Sequence, residues 1–316
     1  MDDIAKWLLE RTKGIGGSDA SIILGINPWR SKLQLYKEKA EGLILKENED
    51  NPNLVWGHIL EPVIAEQYQK ETGRVVASVP RQLIHKAYSH IHANVDRLIL
   101  DYNDEKRGFG VLEIKTKGAF INWNDDEIPP YYYSQIQHYL SVTGYSWGSF
   151  CAFDLGKKKL IILDVDRDED YIDNLIKEEN KFWDLVINKT PPEPDSSKAC
   201  EEFLKNLYEK EVKGKELDLT INKEANERAL ILSIVRQQIK ELKEKESYCE
   251  NVLMSIMGDA EVGIGNGYKI TWKKPKDSLK FDEDQFMINH KNLYKQYLKP
   301  KENTRRFTVR FNKEKC

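Results

Sequence analysis

The segment VLEIKTK, residues 111–117, decides the fold and points to the chemistry. Its short apolar-polar alternation predicts a β-strand. Because alternate side chains of a strand share a face, Glu113 and Lys115 should point together, while Leu112 and Ile114 point to the opposite face. We therefore expect a carboxylate and an ammonium side by side on one face of this strand, with the other face packed into the core.

Asp96 lies in the preceding predicted strand, Ala93 to Leu100, and reaches the same place if the two strands pair. Two converging carboxylates form a hard-oxygen site suited to Mg²⁺ or Mn²⁺. A lysine beside them could orient a metal-bound water or stabilise the negative charge of a phosphodiester transition state. Asp…Glu-x-Lys is a short pattern, however, and Glu–Lys pairs on exposed strands are usually structural, so both interpretations stay open on spacing alone.

Two helical segments bring further polar side chains. Glu61 lies in a predicted helix from Val55 to Thr72, directly before Pro62, which suggests a kink or a late helix start. Glu61 is either aimed at a site by that irregularity or simply near a helix end. Gln135 and Gln137 are two apart on a predicted helix, so they cannot share a face, and surface polarity is the alternative for either.

The segment RTKGIGGSDASIILG, residues 11–25, combines glycines with a helix start at Ser18. It lacks the G-x-G-x-x-G and G-K-[ST] patterns of nucleotide-binding loops. A glycine-rich backbone before a helix N-terminus can nevertheless hold a phosphate, and Arg11 could add a bidentate contact. An ordinary capped helix after a glycine turn explains the same residues equally well.

The order of elements predicts an α/β (α+β) core, with helices around a small central sheet. Residues 147–154 and 159–166 form a predicted hairpin, and PPEPDSSK, residues 191–198, is the clearest linker signal. We therefore expect a domain over 1–190, a Pro-rich linker over 191–198 and an extension over 199–316. The extension should contain a long helix from Asn222 to Met257, with an apolar packing face, and a strand after Gly267.

Composition restricts the class of protein. The chain has 316 residues with 40% apolar and 32% charged residues, and no apolar run is long enough to cross a bilayer. No signal peptide is apparent, so a cytoplasmic protein of a bacterial host or phage is expected. Its four cysteines form no C-x-x-C pair, which argues against a zinc or iron–sulfur site. Net charge is −3, but residues 269–316 carry 14 Lys and Arg against 6 Asp and Glu, which is compatible with a nuclease.

Taken together, these segments resemble the YqaJ-type viral recombinase family, which includes the lambda exonuclease. The resemblance rests on five blocks that occur in order: R-x-x-G-I-G-G-S-D-A from Arg11, W-G-x-x-x-E-P from Trp56, Asp96, E-I-K from Glu113, and Q-x-Q-H-Y from Gln135. It implies a restriction-endonuclease-like core of the PD-(D/E)-x-K class, with a small mixed sheet flanked by helices and a C-terminal extension of helix and β-hairpin.

The resemblance also implies the activity and the roles of the matching residues. The activity would be a Mg²⁺-dependent exonuclease, with one or two ions and Mn²⁺ as a substitute, which digests linear double-stranded DNA from the 5′ end and leaves a 3′ single strand. Catalysis would depend on Glu61, Asp96, Glu113, Lys115 and Gln135. Metal ligands would be Asp96, Glu113, the Ile114 main-chain carbonyl and Glu61, and DNA or its 5′-phosphate would contact Arg11, Ser18, Asn94 and Gln137.

Two positions depart from the family pattern: Val95 replaces a proline often found before the aspartate, and Asn94 stands where some relatives have a small hydroxyl residue. The resemblance further implies a RecT-like single-strand-annealing partner and a homo-oligomer, a trimeric ring around DNA. The alternatives are a RecB-like or restriction-type endonuclease on the same core, and a non-catalytic DNA-binding or recombinase-adaptor module.

Overall fold

The computed structural model describes residues 11–43, 52–100, 107–118, 123–300 and 305–311. The chain divides into two compact units, and the first ends at Leu207. Its helices are α1 (Gly17–Ile23), α2 (Lys32–Glu41), α3 (Pro52–Thr72), α4 (Pro130–Thr143), α5 (Glu169–Ile187) and α6 (Lys198–Leu207). Its strands are β1 (Val75–Ala77), β2 (Leu83–Ile84), β3 (His92–Ala93), β4 (Arg97–Leu100), β5 (Gly110–Lys117), β6 (Trp147–Asp154) and β7 (Lys159–Asp166).

Five of these strands form a mixed sheet in the order β1-β4-β5-β6-β7. All neighbouring pairs are antiparallel except β5 and β6, which run parallel. A parallel pair needs a crossover connection, and helix α4 lies in that connection. The mixed sheet with helices on its faces confirms the predicted α/β (α+β) core with a small central mixed sheet, and β5, β6 and β7 have the predicted bounds.

Apolar side chains cover both faces of the sheet. On one face Val111 and Phe150 pack with Ile136 and Leu140 of α4. On the other face the cluster consists of Ile64, Ala65, Tyr68, Ile99, Leu112, Ile114, Trp147 and Cys151, which joins α3 to the sheet. The position of Leu112 and Ile114 in this second cluster confirms the predicted alternation of β5, because it leaves Glu113 and Lys115 on the face that α4 covers.

The predicted strand from Ala93 to Leu100 is wrong in its middle. The structure breaks it into β3 and β4, with Asn94, Val95 and Asp96 between them outside any strand. The reason is that the Asp96 carboxylate, rather than a main-chain carbonyl, accepts the hydrogen bond of a β5 amide. The Asp96 side chain thus replaces a main-chain acceptor in the hydrogen bonding between the two strands.

The predicted helix around Glu61 also differs from its expected form. Helix α3 begins at Pro52 and runs to Thr72 with Pro62 inside it, so the helix does not start late. Pro62 has no amide hydrogen and cannot donate to the carbonyl four residues earlier. Its side chain is exposed, which leaves the side of α3 that carries Ile64 and Tyr68 free to pack on the sheet.

The structure places the end of the first unit later than the linker predicted at residues 191–198. Helix α6 follows those residues and packs Cys200 and Phe203 against Leu33 of α2. Cys200 and Phe203 are buried at 1% and 3% exposure. Residues 191–198 therefore lie within the first unit, and the boundary falls after Leu207.

The second unit contains α7 (Lys223–Met257), β8 (Val262–Ile264), β9 (Lys269–Thr271), α8 (Glu283–Asn289) and α9 (Lys291–Tyr297). The long helix and the hairpin are confirmed, and Gly258 ends α7 with a positive φ of 54°. The apolar stripe of α7 is exposed, with Val235 at 40% and Leu242 at 63%. In the described parts of both units, no helix is long and apolar enough to cross a membrane.

A buried polar pair joins α4 to α5. His138 Nδ1 lies 2.6 Å from Glu179 Oε1, His138 Nε2 lies 2.7 Å from the His92 carbonyl oxygen, and both side chains are fully buried. Burial alone would lower the pKa of His138, but the Glu179 carboxylate and the His92 carbonyl outweigh it, so the net direction is upward from 6.5. The imidazole therefore holds two helices and the β3 segment together as a charge-assisted network.

We predict that Glu179→Gln destabilises the protein by about 1–3 kcal/mol, because a buried hydrogen bond loses its charge. The folded pKa of His138 is raised, so the stability from this pair is fully present below the unfolded value of 6.5 and is lost as pH rises through the folded pKa. Urea unfolding of wild type and Glu179→Gln should give a larger stability difference at pH 6 than at pH 9. A difference that does not change with pH would contradict a charged pair.

Candidate active site

The face of β5 that α4 covers carries the two predicted side chains. The Glu113 side chain is 0% exposed and the Lys115 side chain 28% exposed, and Lys115 Nζ forms an ion pair with Glu113 Oε1. Among the described residues, neither Glu113 carboxylate oxygen accepts a hydrogen bond of normal geometry. A buried carboxylate without such donors is costly, which marks this position as built for something other than stability.

Asp96 lies beside Glu113, at the point where the pairing of β4 with β5 ends. Arg97 pairs with Leu112 across the antiparallel β4–β5 ladder, so one further step in the same register brings Asp96 opposite Glu113. The Ile114 amide donates to Asp96 Oδ2 at 2.7 Å. The structure therefore brings together the three residues that the sequence pattern predicted, Asp96, Glu113 and Lys115.

The pKa values of Glu113, Asp96 and Lys115 are all shifted from their ordinary values. Burial, and then the nearby Asp96 carboxylate, raise the pKa of Glu113 to about 8, although Lys115 opposes the shift. Burial likewise raises the pKa of Asp96. Burial alone would lower the pKa of Lys115, but Glu113 and Asp96 together raise it, so the ammonium stays charged at neutral pH. A positive charge between the carboxylates would favour their ionised forms.

Glu61 lies at the edge of this cluster and is engaged by a cation that sequence reasoning missed. Arg97 Nη1 donates to Glu61 Oε1 at 2.6 Å and to the Asp96 carbonyl oxygen at 2.5 Å. The Glu61 side chain is 28% exposed, and its charge contributes to the raised pKa of Asp96. Glu61 is thus close to the site, but its carboxylate is neutralised by Arg97.

The donor set fits a hard divalent cation. No group of three or more His, Cys, Asp or Glu side chains in the described ranges is arranged to hold a metal. The available oxygens are those of the Asp96 and Glu113 carboxylates, together with the main-chain carbonyl of Ile114, the residue that follows Glu113. Glu113 oxygens that lack hydrogen-bond donors, and a pKa raised by a neighbouring carboxylate, are what a bound dication would relieve.

Helix α4 supports the cluster through Gln135 and Tyr139. Gln135 Nε2 donates to the Tyr139 hydroxyl at 2.8 Å, and both side chains are buried. The Tyr139 hydroxyl lies near enough to the Glu113 carboxylate to lower its pKa. Gln135 therefore reaches the predicted site indirectly, because it contacts Tyr139, which lies beside Glu113.

Gln137 is corrected to a structural role. Its Nε2 donates to the Asp166 carbonyl oxygen at 2.9 Å and its Oε1 accepts from the Asp168 amide at 3.0 Å. The side chain is completely buried. Because both ends of the amide hold the turn between β7 and α5, we remove Gln137 from the candidate DNA contacts. The surface alternative for these two glutamines is not found, because both Gln135 and Gln137 are buried.

The glycine-rich segment forms one wall of a cavity of about 160 Å³, called here the glycine-loop cavity. Gly17 packs so closely on the Tyr139 ring that an added Cβ would lie 2.3 Å from it, and a Cβ at Gly14 would lie 2.5 Å from His92. These contacts require glycine at both positions. The cavity is lined by Arg11, Gly14, Gly16, Gly17, Ser18, Asp19, Lys39, Gln82, His92, Asn94 and Tyr139.

Three predicted contacts, Arg11, Ser18 and Asn94, thus line one cavity. Arg11 Nη2 lies 3.5 Å from Ser18 Oγ, at the limit of a hydrogen bond, and Asn94 is exposed at the rim. Helix α1 is only seven residues long, and Asp19 Oδ2 already accepts from the Gly16 amide at 3.0 Å. The positive charge at the cavity therefore comes from Arg11 and Lys39 more than from the helix dipole, and Asp19 offsets part of it.

A buried ion pair forms the base of the glycine-loop cavity. Lys39 Nζ lies 2.6 Å from Asp19 Oδ2 and donates to the Arg11 carbonyl oxygen at 2.6 Å. Burial alone would raise the pKa of Asp19, but Lys39, Arg11 and Arg30 outweigh it and lower the pKa to about 2. Asp19 is therefore ionised throughout the neutral range, and Lys39 fixes the main chain that carries Arg11.

Sequence reasoning missed Arg97, Lys39, His92 and Gln82 as neighbours of the site. Arg97 directly follows Asp96, and Tyr139 stands four residues after Gln135, a spacing at which helical side chains meet. The sequence therefore indicates that Arg97 lies near Asp96 and that Tyr139 lies near Gln135, but it does not indicate the contact of Arg97 with Glu61. Lys39 is 28 residues from Arg11, and nothing local indicates that their segments touch.

Residues 6–146 match the model of the YqaJ-like viral recombinase domain. The chain is 35% identical over 310 residues to a protein of Bacillus subtilis (strain 168) named YqaJ and described as uncharacterized, and the match covers 96% of this chain and 93% of that protein.

Among solved structures, the chain is similar to an alkaline exonuclease from Laribacter hongkongensis, with a TM-score of 0.47, 20% identity, and coverage of 64% of this chain and 97% of that one. It is also similar to a phage-related exonuclease from Haemophilus somnus 129PT, with a TM-score of 0.40, 13% identity, and coverage of 56% and 96%. The near full-length match to the Bacillus protein and the domain match over the glycine loop, β5 and α4 establish that the chain belongs to the YqaJ-like viral recombinase family.

Proposed function

We propose that this protein is a metal-dependent exonuclease that hydrolyses phosphodiester bonds of linear double-stranded DNA from the 5′ end. The observation that carries the proposal is the convergence of the fully buried Glu113 carboxylate, the partly buried Asp96 carboxylate and the charged Lys115 at one edge of β5. Membership in a viral recombinase family supports a DNA substrate.

Asp96, Glu113 and the Ile114 carbonyl would hold Mg²⁺, with Glu61 as a further ligand or water contact once Arg97 releases it. Mn²⁺ would substitute, and one or two ions would bind. When bound, such an ion would lower the pKa of a water molecule and neutralise charge on the phosphodiester. Lys115 Nζ, held in its charged form by Glu113 and Asp96, would donate to the phosphate or orient the attacking water. Gln135 would keep the Tyr139 hydroxyl beside Glu113.

The glycine-loop cavity would receive the 5′-terminal phosphate. Arg11 would supply the charge, Ser18 a hydroxyl donor and Asn94 an amide donor at the rim. Tyr139 lines this cavity and also lies beside Glu113. The proposed phosphate seat and the proposed metal site therefore share a wall, which suits removal of nucleotides from a phosphorylated end.

The proposed setting is phage-type recombination in the bacterial cytoplasm, in which resection leaves a 3′ strand for a RecT-like annealing protein. A trimeric ring around the duplex would make the digestion processive. Both ideas rest on the family resemblance stated above. A monomer in sedimentation at working concentration would count against processive tracking.

Two alternatives use the same core. A RecB-like or restriction-type endonuclease would cut closed circular DNA, whereas an exonuclease needs an end. A non-catalytic adaptor would bind DNA without cutting it. The charged Lys115 next to two carboxylates favours the catalytic alternatives, because an adaptor has no use for a fully buried Glu113 carboxylate beside a second acidic side chain.

We predict that the full chain with Mg²⁺ degrades linear duplex DNA from labelled 5′ ends, leaves a closed circle intact, and stops on addition of EDTA. Lys115→Ala should lower the cleavage rate on the order of 10²–10³-fold, because a transition-state donor is removed, while DNA binding survives. Gel analysis of both labelled substrates measures this directly.

Lys159→Ala is the matched control. The Lys159 side chain is 52% exposed, and its ion pair with Asp125 lies at the surface. This variant should digest DNA like the wild type. Cleavage of the circle would favour the endonuclease, and undiminished cleavage by Lys115→Ala would remove Lys115 from the mechanism.

We also predict that the wild type prefers a 5′-phosphate over a 5′-hydroxyl end, and that Arg11→Ala reduces this preference by roughly one to two orders of magnitude. The reason is the loss of a charge-assisted hydrogen bond to the phosphate. Initial rates on matched substrates measure the preference, with Lys13→Ala as a neighbouring cation that does not line the cavity. Equal rates on both ends in the wild type would refute the phosphate seat.

A further inference from the structure

The loop between α1 and α2 presents an indole to solvent. Trp29 is 59% exposed, although large aromatic side chains usually bury most of their surface. The loop begins at Gly25, which has a φ of +73°, and ends at Ser31, whose side chain accepts from the Gln34 amide and caps α2. Trp29 therefore lies between two well-defined helix ends.

Hydrogen bonds fix this loop around Asn27. Asn27 Oδ1 accepts from the amides of Trp29 at 2.9 Å and of Arg30 at 3.0 Å, while Asn27 Nδ2 donates to Ser21 Oγ of α1 at 2.9 Å. The loop main chain also donates to the Ser21 carbonyl oxygen. The exposure of the indole is thus built into an ordered turn, because the main chain on both sides of it is tied to α1 and α2.

A series of aromatic contacts leads from this indole to the catalytic lysine. Trp29 meets Tyr131 edge to face, with ring centroids 4.9 Å apart, and Tyr131 meets Tyr132 at 4.5 Å. The Tyr132 ring lies 5.4 Å from Lys115 Nζ. Two ring contacts and one cation–π contact therefore connect the exposed indole to Lys115, the residue proposed to touch the scissile phosphodiester.

We propose that Trp29, supported by Tyr131, is a stacking platform for a nucleobase of the strand being cut, near the bond that is hydrolysed. This rests on the proposed nuclease function and adds a base subsite to it. Aromatic stacking accepts every base because each has a π face, which suits an enzyme that digests DNA of any sequence. A preorganised indole loses little conformational entropy when the base stacks on it.

The test measures binding of the full chain to a 5′-phosphorylated duplex by fluorescence anisotropy, with Ca²⁺ in place of Mg²⁺. The same duplex is also prepared with one abasic nucleotide at each of the first three positions of the 5′-ended strand. Wild type should lose roughly 5- to 150-fold in affinity when one of these bases is missing. Trp29→Ala should lose a similar factor on the intact duplex and no more when that base is absent, with Trp29→Phe in between.

Two controls separate stacking from other causes. Because no phosphate contact is lost, the slope of log Kd against log salt should be the same for Trp29→Ala and wild type. Phe109→Ala, which removes another exposed ring (43%) at the far end of β5, should bind like the wild type.

The proposal is overturned if Trp29→Ala binds the intact duplex as tightly as wild type, or if it stays as sensitive as wild type to the missing base. Failure of the nuclease function would give a different result. The wild type would still bind the abasic duplex more weakly than the intact duplex, but it would cut no DNA. Cleavage of linear DNA with no effect of Trp29→Ala would leave the nuclease function intact and remove only the platform.

Discussion

The hydrogen bond from the Ile114 amide to the Asp96 carboxylate is the interaction on which the rest of the site depends. It ends the β4–β5 ladder one residue early and places one carboxylate opposite another, Glu113, on a buried face. Burial and then the neighbouring Asp96 carboxylate raise the pKa of Glu113, whereas burial and then the Glu61 charge raise the pKa of Asp96. Helix α4 covers the face that carries Glu113, and α3 packs on the opposite face of the sheet, so the carboxylate is held in the interior.

Helix α4 connects the two halves of the proposed chemistry. One turn carries Gln135 and Tyr139, whose hydrogen bond faces Glu113, while the Tyr139 ring also packs under Gly17 at the glycine-loop cavity. The same helix is fixed from behind by His138 and Glu179. A shift of α4 would therefore change the proposed metal site and the glycine-loop cavity together. This arrangement gives a structural reason for the occurrence of the glycine block and the glutamine block in one family pattern.

Much of this could be predicted from the sequence, because the relevant signals are local. The alternation of residues 111–117 predicted which side chains of β5 face the site, and the turn residues predicted the β6–β7 hairpin. The break between β3 and β4 could not be predicted, since nothing in the pattern of Ala93 to Leu100 indicates that a side chain replaces a main-chain acceptor. The partners of Glu61 and Asp19 were also hidden. Arg97 and Lys39 reach them only through tertiary packing, which a single sequence does not encode in its spacing.

The most direct test of the central claim is thermal unfolding of wild type and Glu113→Gln, each in EDTA and in millimolar Mg²⁺. If Asp96 and Glu113 form the metal site, Mg²⁺ should raise the Tm of wild type clearly, because an ion that binds only the folded state at about 100 times its Kd adds about 2.7 kcal/mol. Glu113→Gln should show little or no such shift, while remaining at least as stable as wild type in EDTA. No Mg²⁺ shift in wild type, or an equal shift in both proteins, would contradict the account.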